Sequence, residues 1–115
     1  MRLQNGSIFV GKVTTIGRHT GLSHTVELRL VYLDSRFYAS SARVQNKHWC
    51  RNLIKNPTVE VKTGGKRFSC LAREVTEEQL RSKILSLRDS PPLLDRVVFE
   101  MTPQKPPHST TINPG

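Results

Sequence analysis

Cysteine is scarce in this chain, with two in 115 residues, and acidic residues are half as common as basic ones, nine against eighteen. Cys50 falls in a helix-like stretch and Cys70 in a strand-like one, which suggests reduced thiols in core positions and not a disulfide framework. His19, His24, His48 and His108 are too scattered for metal-ligand spacing. No apolar run approaches the length of a membrane span, and the N-terminus lacks an apolar signal segment. The expectation is a soluble cytoplasmic protein. Only seven aromatic residues are present, and they do not line one strand face as a base-stacking platform would. Internal repeats are absent too.

What the chain has in excess is positive charge, +9 in all. It is concentrated. Arg29, Arg36, Arg43, Lys47, Arg51, Lys55, Lys62, Lys66 and Arg67 are opposed over that span by Asp34 and Glu60 alone. Such a field attracts anions: nucleic acid, phosphorylated cofactors or acidic substrates. The length fits one domain, large enough for a core but small for an enzyme working alone. With modest hydrophobic content, a shared subunit interface is a natural way to complete that core.

Periodicity predicts six strands. Ile8 to Thr15 is rich in β-branched residues, with Gly11 marking a bulge or a close approach. The segment 17–21, GRHTG, is a tight connection. From Ser23 to Leu33 the chain alternates, with Val26, Leu28, Leu30 and Tyr32 on one face and Glu27 and Arg29 on the other. Asp34-Ser35 turns into the strand from Phe37 to Ala42, with Phe37, Ala39 and Ser41 on one face and Tyr38 and Ser40 on the other. Thr58 to Lys62 directs Val59 and Val61 one way, and Gly64-Gly65 leads into Lys66 to Val75. Thr76 with Gln79 has the capping-box form before a helix carrying Leu80, Ile84, Leu85 and Leu87, which ends ahead of Ser90-Pro91-Pro92. Val97 to Thr102 is a last strand. The composition from 104 to 115 is that of a flexible proline-rich tail, leaving 1–103 as the domain. Hairpin connections and two interrupting helices point to an all-β barrel with helical additions.

The stretch from Phe37 to Val61 carries the chemistry. Asn46 is placed to cap a helix whose apolar positions are Trp49, Cys50, Leu53 and Ile54. Lys47, Arg51 and Lys55 form a cationic face roughly opposite, and Asn56-Pro57 ends the helix. A strand end and a helix start are thus ringed by Ser40, Ser41, Arg43 and Lys47, the donor set an anionic group such as phosphate requires.

Gly17-Arg18-His19-Thr20-Gly21, Val26-Glu27-Leu28, Ser40-Ser41, Trp49 with Asn52-Leu53, Asn56-Pro57-x-Val59-x-Val61 and Gly64-Gly65 occur in the order and spacing of a known family. Over residues 8 to 103 the chain resembles the deazaflavin-dependent nitroreductases, within the pyridoxamine 5'-phosphate oxidase-like split barrels. The resemblance implies a mainly β, six-stranded split β-barrel with two or three short helices, usually a homodimer. It also implies FMN or an 8-hydroxy-5-deazaflavin coenzyme (F-420 type) in a groove near the subunit interface. The implied reaction is hydride transfer to an electron-poor acceptor such as a quinone or a nitro compound. Carried over by position, Arg18, Thr20 and Gly21 hold phosphate, Thr25 and Val26 lie along the ring system, Ser40, Ser41 and Lys47 form a second phosphate-side loop, and Trp49 heads the helix. The cofactor would do the redox step, so no catalytic acid or base is expected; Tyr38 is a possible proton source that nothing singles out.

The chain departs from the family where relatives carry a basic residue in place of His24 and a proline in place of Glu27. That carboxylate has the ring, Arg18 or Arg29 as possible neighbours. Plainer readings stand beside these: Arg18-His19-Thr20 as a solvated hairpin tip, Trp49 as core, and the Lys47/Arg51/Lys55 face as solvated charge or as the seat of a deazaflavin's acidic tail. A protein that binds the cofactor without turnover is the alternative. A basic nucleic-acid-binding barrel is the remote one.

Overall fold

Alternating burial along six strands closes a barrel. The computed structural model describes residues 4–17, 20–42 and 48–104. The strands are β1 (Ser7–Ile16), β2 (Ser23–Leu33), β3 (Arg36–Ser41), β4 (Thr58–Thr63), β5 (Lys66–Glu74) and β6 (Val97–Pro103), and the helices are α1 (His48–Lys55) and α2 (Glu78–Arg88). The strand order is β1-β2-β3-β6-β5-β4, closed on itself, and every pair is antiparallel. This is the expected six-stranded barrel with two helices among the described residues. Arg18, Arg43, Asn46 and Lys47 lie outside those residues, as does 105–115 of the expected tail.

The two faces of the strands feed two cores. Inside the barrel, Val13, Leu30, Phe37, Ala39, Val59, Val61, Cys70, Phe99 and Met101 pack with Trp49, Cys50 and Leu53 of α1. Outside it, Val31, Leu33, Tyr38, Val75 and Val98 pack against Ile84 and Leu85 of α2. Neighbouring residues of β2, β3 and β6 therefore enter different cores, as the period of a strand dictates. Both cysteines are buried and neither forms a disulfide, and burial pushes the Cys70 thiol up to about 12, as befits a core position.

The β1–β2 ladder runs without interruption from Ser7↔Tyr32 to Ile16↔Ser23, so Gly11 marks no bulge. It is the close approach: a Cβ there would stand 2.8 Å from Leu30 Cδ1. The turn between β2 and β3 is built from Asp34 and Ser35 at φ 52° and 65°. Both residues are left-handed, as the twist of a two-residue hairpin requires, although neither is glycine. Ser35→Gly is therefore expected to raise stability by about 0.5–1 kcal/mol, the left-handed penalty less the extra backbone entropy glycine loses. Thermal denaturation checks this, and an unchanged or lower Tm would show the turn to be unstrained.

Two local expectations are corrected. Ile54 is 59% exposed, and the fourth buried position on α1, beside Trp49, Cys50 and Leu53, is Asn52 at 3%. Residues 49, 52 and 53 share a helix face, whereas 54 lies a further ~100° round. Asn52 Nδ2 donates to Thr15 Oγ1 at 3.1 Å, tying α1 to β1. Arg51 and Lys55 are exposed as expected. The capping box at Thr76 does not form: the helix begins at Glu78 and is flanked by Glu77, which makes no side-chain cap bond. Val75 N–H still bonds Val98 O at 2.8 Å, which holds the chain on the sheet. The Glu77 carboxylate is taken by Arg73 at 3.0 Å.

Candidate functional site

β2 and β3 pair only from Leu33↔Arg36 to Val31↔Tyr38. Beyond that point β2 stays with β1, and β3 continues on β6 through Ser40↔Val98 and Ser41↔Val97. The two strands part. Glu27, Leu28 and Arg29 line one wall of the resulting pocket and Ser40 and Ser41 the other, with Trp49, Arg88 and Arg96 completing it, in a volume of about 190 Å³. That is below the roughly 300–1,000 Å³ of a pocket enclosing a whole small ligand. It suits one group of a larger molecule lying in an open groove.

The hydroxyls at the end of β3 have found a cation. Arg96 Nε donates to Ser40 Oγ at 2.9 Å, and Arg96 Nη2 to Ser40 O at 3.1 Å. Ser41, also buried, is engaged as well. Arg96 is carried by a loop that Arg81 of α2 clamps, donating to Leu94 O and Arg96 O at 2.6 Å each. Arg81 is itself held by Glu78 at 3.2 Å. Arg88, in the last turn of α2, donates to Asp89, and Asp89 is also 3.8 Å from Arg29. Burial and then the neighbouring Arg88 lower the pKa of Arg96. Hydroxyls, guanidinium groups and an indole edge surround one small volume, a donor set suited to an oxyanion.

A family model described as F420H2-dependent quinone reductase matches residues 2–91, more than three quarters of the chain. The chain belongs to that family. It is thereby an oxidoreductase of the deazaflavin-dependent kind. Among solved structures it is similar to an F420-H2 dependent reductase at 26% identity, covering 80% of this chain and 92% of that one with a TM-score of 0.66. It is equally similar to a protein solved as a domain-swapped dimer, at 26% identity, 80% and 78% coverage and a TM-score of 0.66. General Stress Protein 26 from Bacillus anthracis shares the fold at 16% identity, with 84% and 81% coverage and a TM-score of 0.65. No curated protein matches the chain.

In this reductase three of the residues anticipated from sequence, Ser40, Ser41 and Trp49, line the same pocket. Trp49 is core and lining at once: it is 7% exposed and packs edge-on against Phe99 with centroids 5.8 Å apart. Val26 is half-buried against the barrel core, and Thr25 Oγ1 shares a hydrogen bond with Thr14 Oγ1 at 2.8 Å. Thr20 and Gly21 stand at the far end of the β1–β2 hairpin. There Thr20 Oγ1 accepts from Leu22 N–H at 3.1 Å, and Gly21 adopts φ 73°. These four are not among the lining residues. From Glu27 to Ser23 the strand spans about 13 Å, so Thr20 and Gly21 stand beyond the β2 wall of the pocket. Arg18 and Lys47 lie outside the described residues.

Tyr38 faces the α2 core and donates to Glu100 Oε2 at 2.8 Å. Burial and that carboxylate push its pKa above the ordinary tyrosine value, so it is no proton donor to the pocket. Glu27 is a lining residue; Arg29, one of its anticipated neighbours, is matched with Asp89. Sequence reasoning missed Arg88 and Arg96, which stand at a helix end and a strand start. The available signal was two arginines flanking the Pro91-Pro92 break, with no apolar periodicity to explain them. Among the described residues no group of His, Cys, Asp and Glu is placed to hold a metal ion, and no helix is long and apolar enough to cross a membrane.

Proposed function

We propose that this reductase transfers hydride between the 8-hydroxy-5-deazaflavin coenzyme and an electron-poor acceptor of the quinone or nitro type. The observation that carries the reading is the pocket where β2 and β3 part, with Ser40, Ser41, Trp49 and guanidinium groups converging on it. The family supports the deazaflavin over FMN. When bound, the deazaflavin supplies the hydride chemistry, and the chain supplies binding, orientation and electrostatics. Ser40 and Ser41 offer hydroxyls at the strand end, and the indole of Trp49 walls off solvent. Arg51 and Lys55, exposed on α1, offer cations to an acidic tail. Thr25 and Val26 border the groove on β2. In this reading Thr20 and Gly21 add contacts to the cofactor along the same hairpin, Arg18 and Lys47 are its expected phosphate ligands, and a second copy of the chain completes the groove. The working unit in this reading is a cytoplasmic homodimer.

Trp49 is the sole tryptophan, so its fluorescence reports occupancy directly. Titration with the deazaflavin coenzyme is expected to quench it at micromolar concentration, and FMN to do so more weakly. The reduced coenzyme should then be oxidised on addition of a simple quinone. A folded dimer that binds neither cofactor would sink the proposal, and binding without turnover would replace it by a cofactor-storage role.

A further inference from the structure

We propose that the outer face of β1, β4 and β5 docks the protein peripherally on an anionic lipid surface. The inference is independent of the hydride-transfer reading. α2 covers the outside of the barrel over Val31, Tyr38 and Val98, and α1 packs into the barrel core. The other side is left to solvent: Val10 and Lys12 on β1, Lys62 on β4, and Arg67 and Leu71 on β5 are all exposed. The register sets three cations side by side there. Lys12 stands opposite Lys62, and Lys62 opposite Arg67, so they form one cross-strand row with Cβ atoms roughly 5 Å apart. Like charges directly opposite cost stability, and elsewhere the barrel avoids that cost by setting Arg73 against Glu100 and Arg29 against Asp89. Among the described residues Lys12, Lys62 and Arg67 make no ion pair. Lys66, exposed at the end of the hairpin, adds a fourth cation. The carboxylates on this face are Glu27, opposite Lys12, and Glu60, one row on and opposite Thr14. Four cations against two carboxylates leave a surplus of two.

A second copy of the chain is the wrong occupant, because face to face it would oppose two such surpluses in a chain already at +9. The charge asks for an anionic partner, and the apolar residues choose among anions. Val10 is 64% exposed and Ile8 44%, two and four residues before Lys12 and so on the same side of β1. Leu71 is 46% exposed on β5. Aliphatic groups gain by entering the boundary between headgroups and acyl chains, and gain nothing against a phosphodiester backbone. Lysine stems lie along such a boundary while their ammonium groups reach the headgroups. No aromatic residue is placed on this face to stack a base, since Phe9 and Phe68 pack against the barrel core. Lys12 and Lys62, with Val10, Glu27 and the Gly64-Gly65 turn, also border a niche of about 210 Å³. That is room for one headgroup between two ammonium groups.

Co-sedimentation of the full chain with lipid vesicles tests this. The probes are vesicles of phosphatidylcholine alone, vesicles in which a third of the lipid is phosphatidylglycerol, and a duplex DNA. The proteins are the unchanged chain, Lys62→Gln, the double variant Lys62→Gln/Arg67→Gln, Val10→Thr and, as a control on the exposed side of α2, Lys83→Gln. The changes at Lys62 and Arg67 relieve repulsion, so both variants should fold with a Tm no lower than that of the unchanged chain. The unchanged chain is expected to bind the anionic vesicles and not the zwitterionic ones, and to be released by added salt. Affinity should fall about fivefold in Lys62→Gln and about 25-fold in the double variant. It should fall a few-fold in Val10→Thr and scarcely in Lys83→Gln. No preference for the anionic vesicles, or an equal loss in Lys83→Gln, overturns the proposal. Tighter binding to the DNA than to the vesicles, lost in the double variant, overturns it in favour of a nucleic-acid interface.

Discussion

Phe37→Ala is expected to destabilise the protein by about 3–5 kcal/mol, enough to unfold a small domain of ordinary stability. Phe37 is fully buried and sits at the middle of the barrel. Its ring meets those of Phe9, Tyr32 and Phe68 at centroid distances of 6.1, 5.3 and 5.1 Å, all tilted or edge-on. Those three rings come from β1, β2 and β5, so one side chain joins three strands to its own. Truncation removes the transfer energy of the ring and leaves a cavity that strands tied by ladders on both sides cannot close. Phe37→Leu, which refills most of the space, should cost well under half as much. Chemical denaturation of both variants tests this. If the two are equally stable, the barrel interior repacks freely and the aromatic cluster is not the centre of the fold.

The second large effect is expected at Glu100. Its side chain is buried on the α2 side of the barrel, 7% exposed, and accepts from Arg73 Nε at 2.8 Å and Tyr38 Oη at 2.8 Å. The three residues lie in one cross-strand row, Tyr38↔Glu100↔Arg73. Glu100→Ala would leave the buried Tyr38 O–H without its acceptor, with only the cationic Arg36 beside it, a loss of about 1–3 kcal/mol. The Arg73 contribution is smaller, because its side chain is 45% exposed and regains water, so an exposed-pair value below about 1 kcal/mol applies. The expected total is about 2–3 kcal/mol, or roughly 8–24 °C in Tm. Tyr38→Phe, which removes the donor and leaves Glu100 its arginine, should cost about 1 kcal/mol.

The same residue gives the fold an acid limit. Burial pushes the Glu100 carboxyl up, but the bonds from Arg73 and Tyr38 outweigh it and the net direction is down. A carboxyl whose folded-state pKa lies below its unfolded value, about 4.3, contributes stability that is complete above that value. The contribution is lost as pH falls through the folded value. The Tm gap between the unchanged chain and Glu100→Gln should therefore be full at pH 6–7 and close below about pH 4. A gap that is constant with pH would mean that the charge on Glu100 adds nothing.

Strand positions were legible because burial on alternate faces imposes a period of two: Val26, Leu28 and Leu30 on β2, Val59 and Val61 on β4. The turns were legible because Asp34-Ser35 and Gly64-Gly65 are residues that reach left-handed backbone angles. Ile54 misled because an eight-residue helix has room for more than one apolar arc, and only docking chooses between them. Thr76 misled because Val75 is held on the sheet by Val98 and Glu77 by Arg73, both contacts beyond the reach of local sequence.

By itself the sequence determined the strand and helix inventory, the family, and the surplus of cations that asks for an anion. Ser40, Ser41 and Trp49 were marked out because buried hydroxyls and a lone indole need a reason. Only the tertiary structure decided which hydroxyls and cations share one pocket. The pocket exists because β3 parts from β2 after Tyr38 while it stays paired with β6 through Ser41, a pairing between strands nearly sixty residues apart. The same pairing brings the start of β6, and with it Arg96, beside Ser40. The cations nearest in sequence, Arg43 and Lys47, were the natural candidates from the chain alone; the fold adds Arg88 from the end of α2 and Arg96 from the loop before β6. Chain order carries local preference, but electrostatics acts through space, and which charges share a volume is fixed by strand pairing.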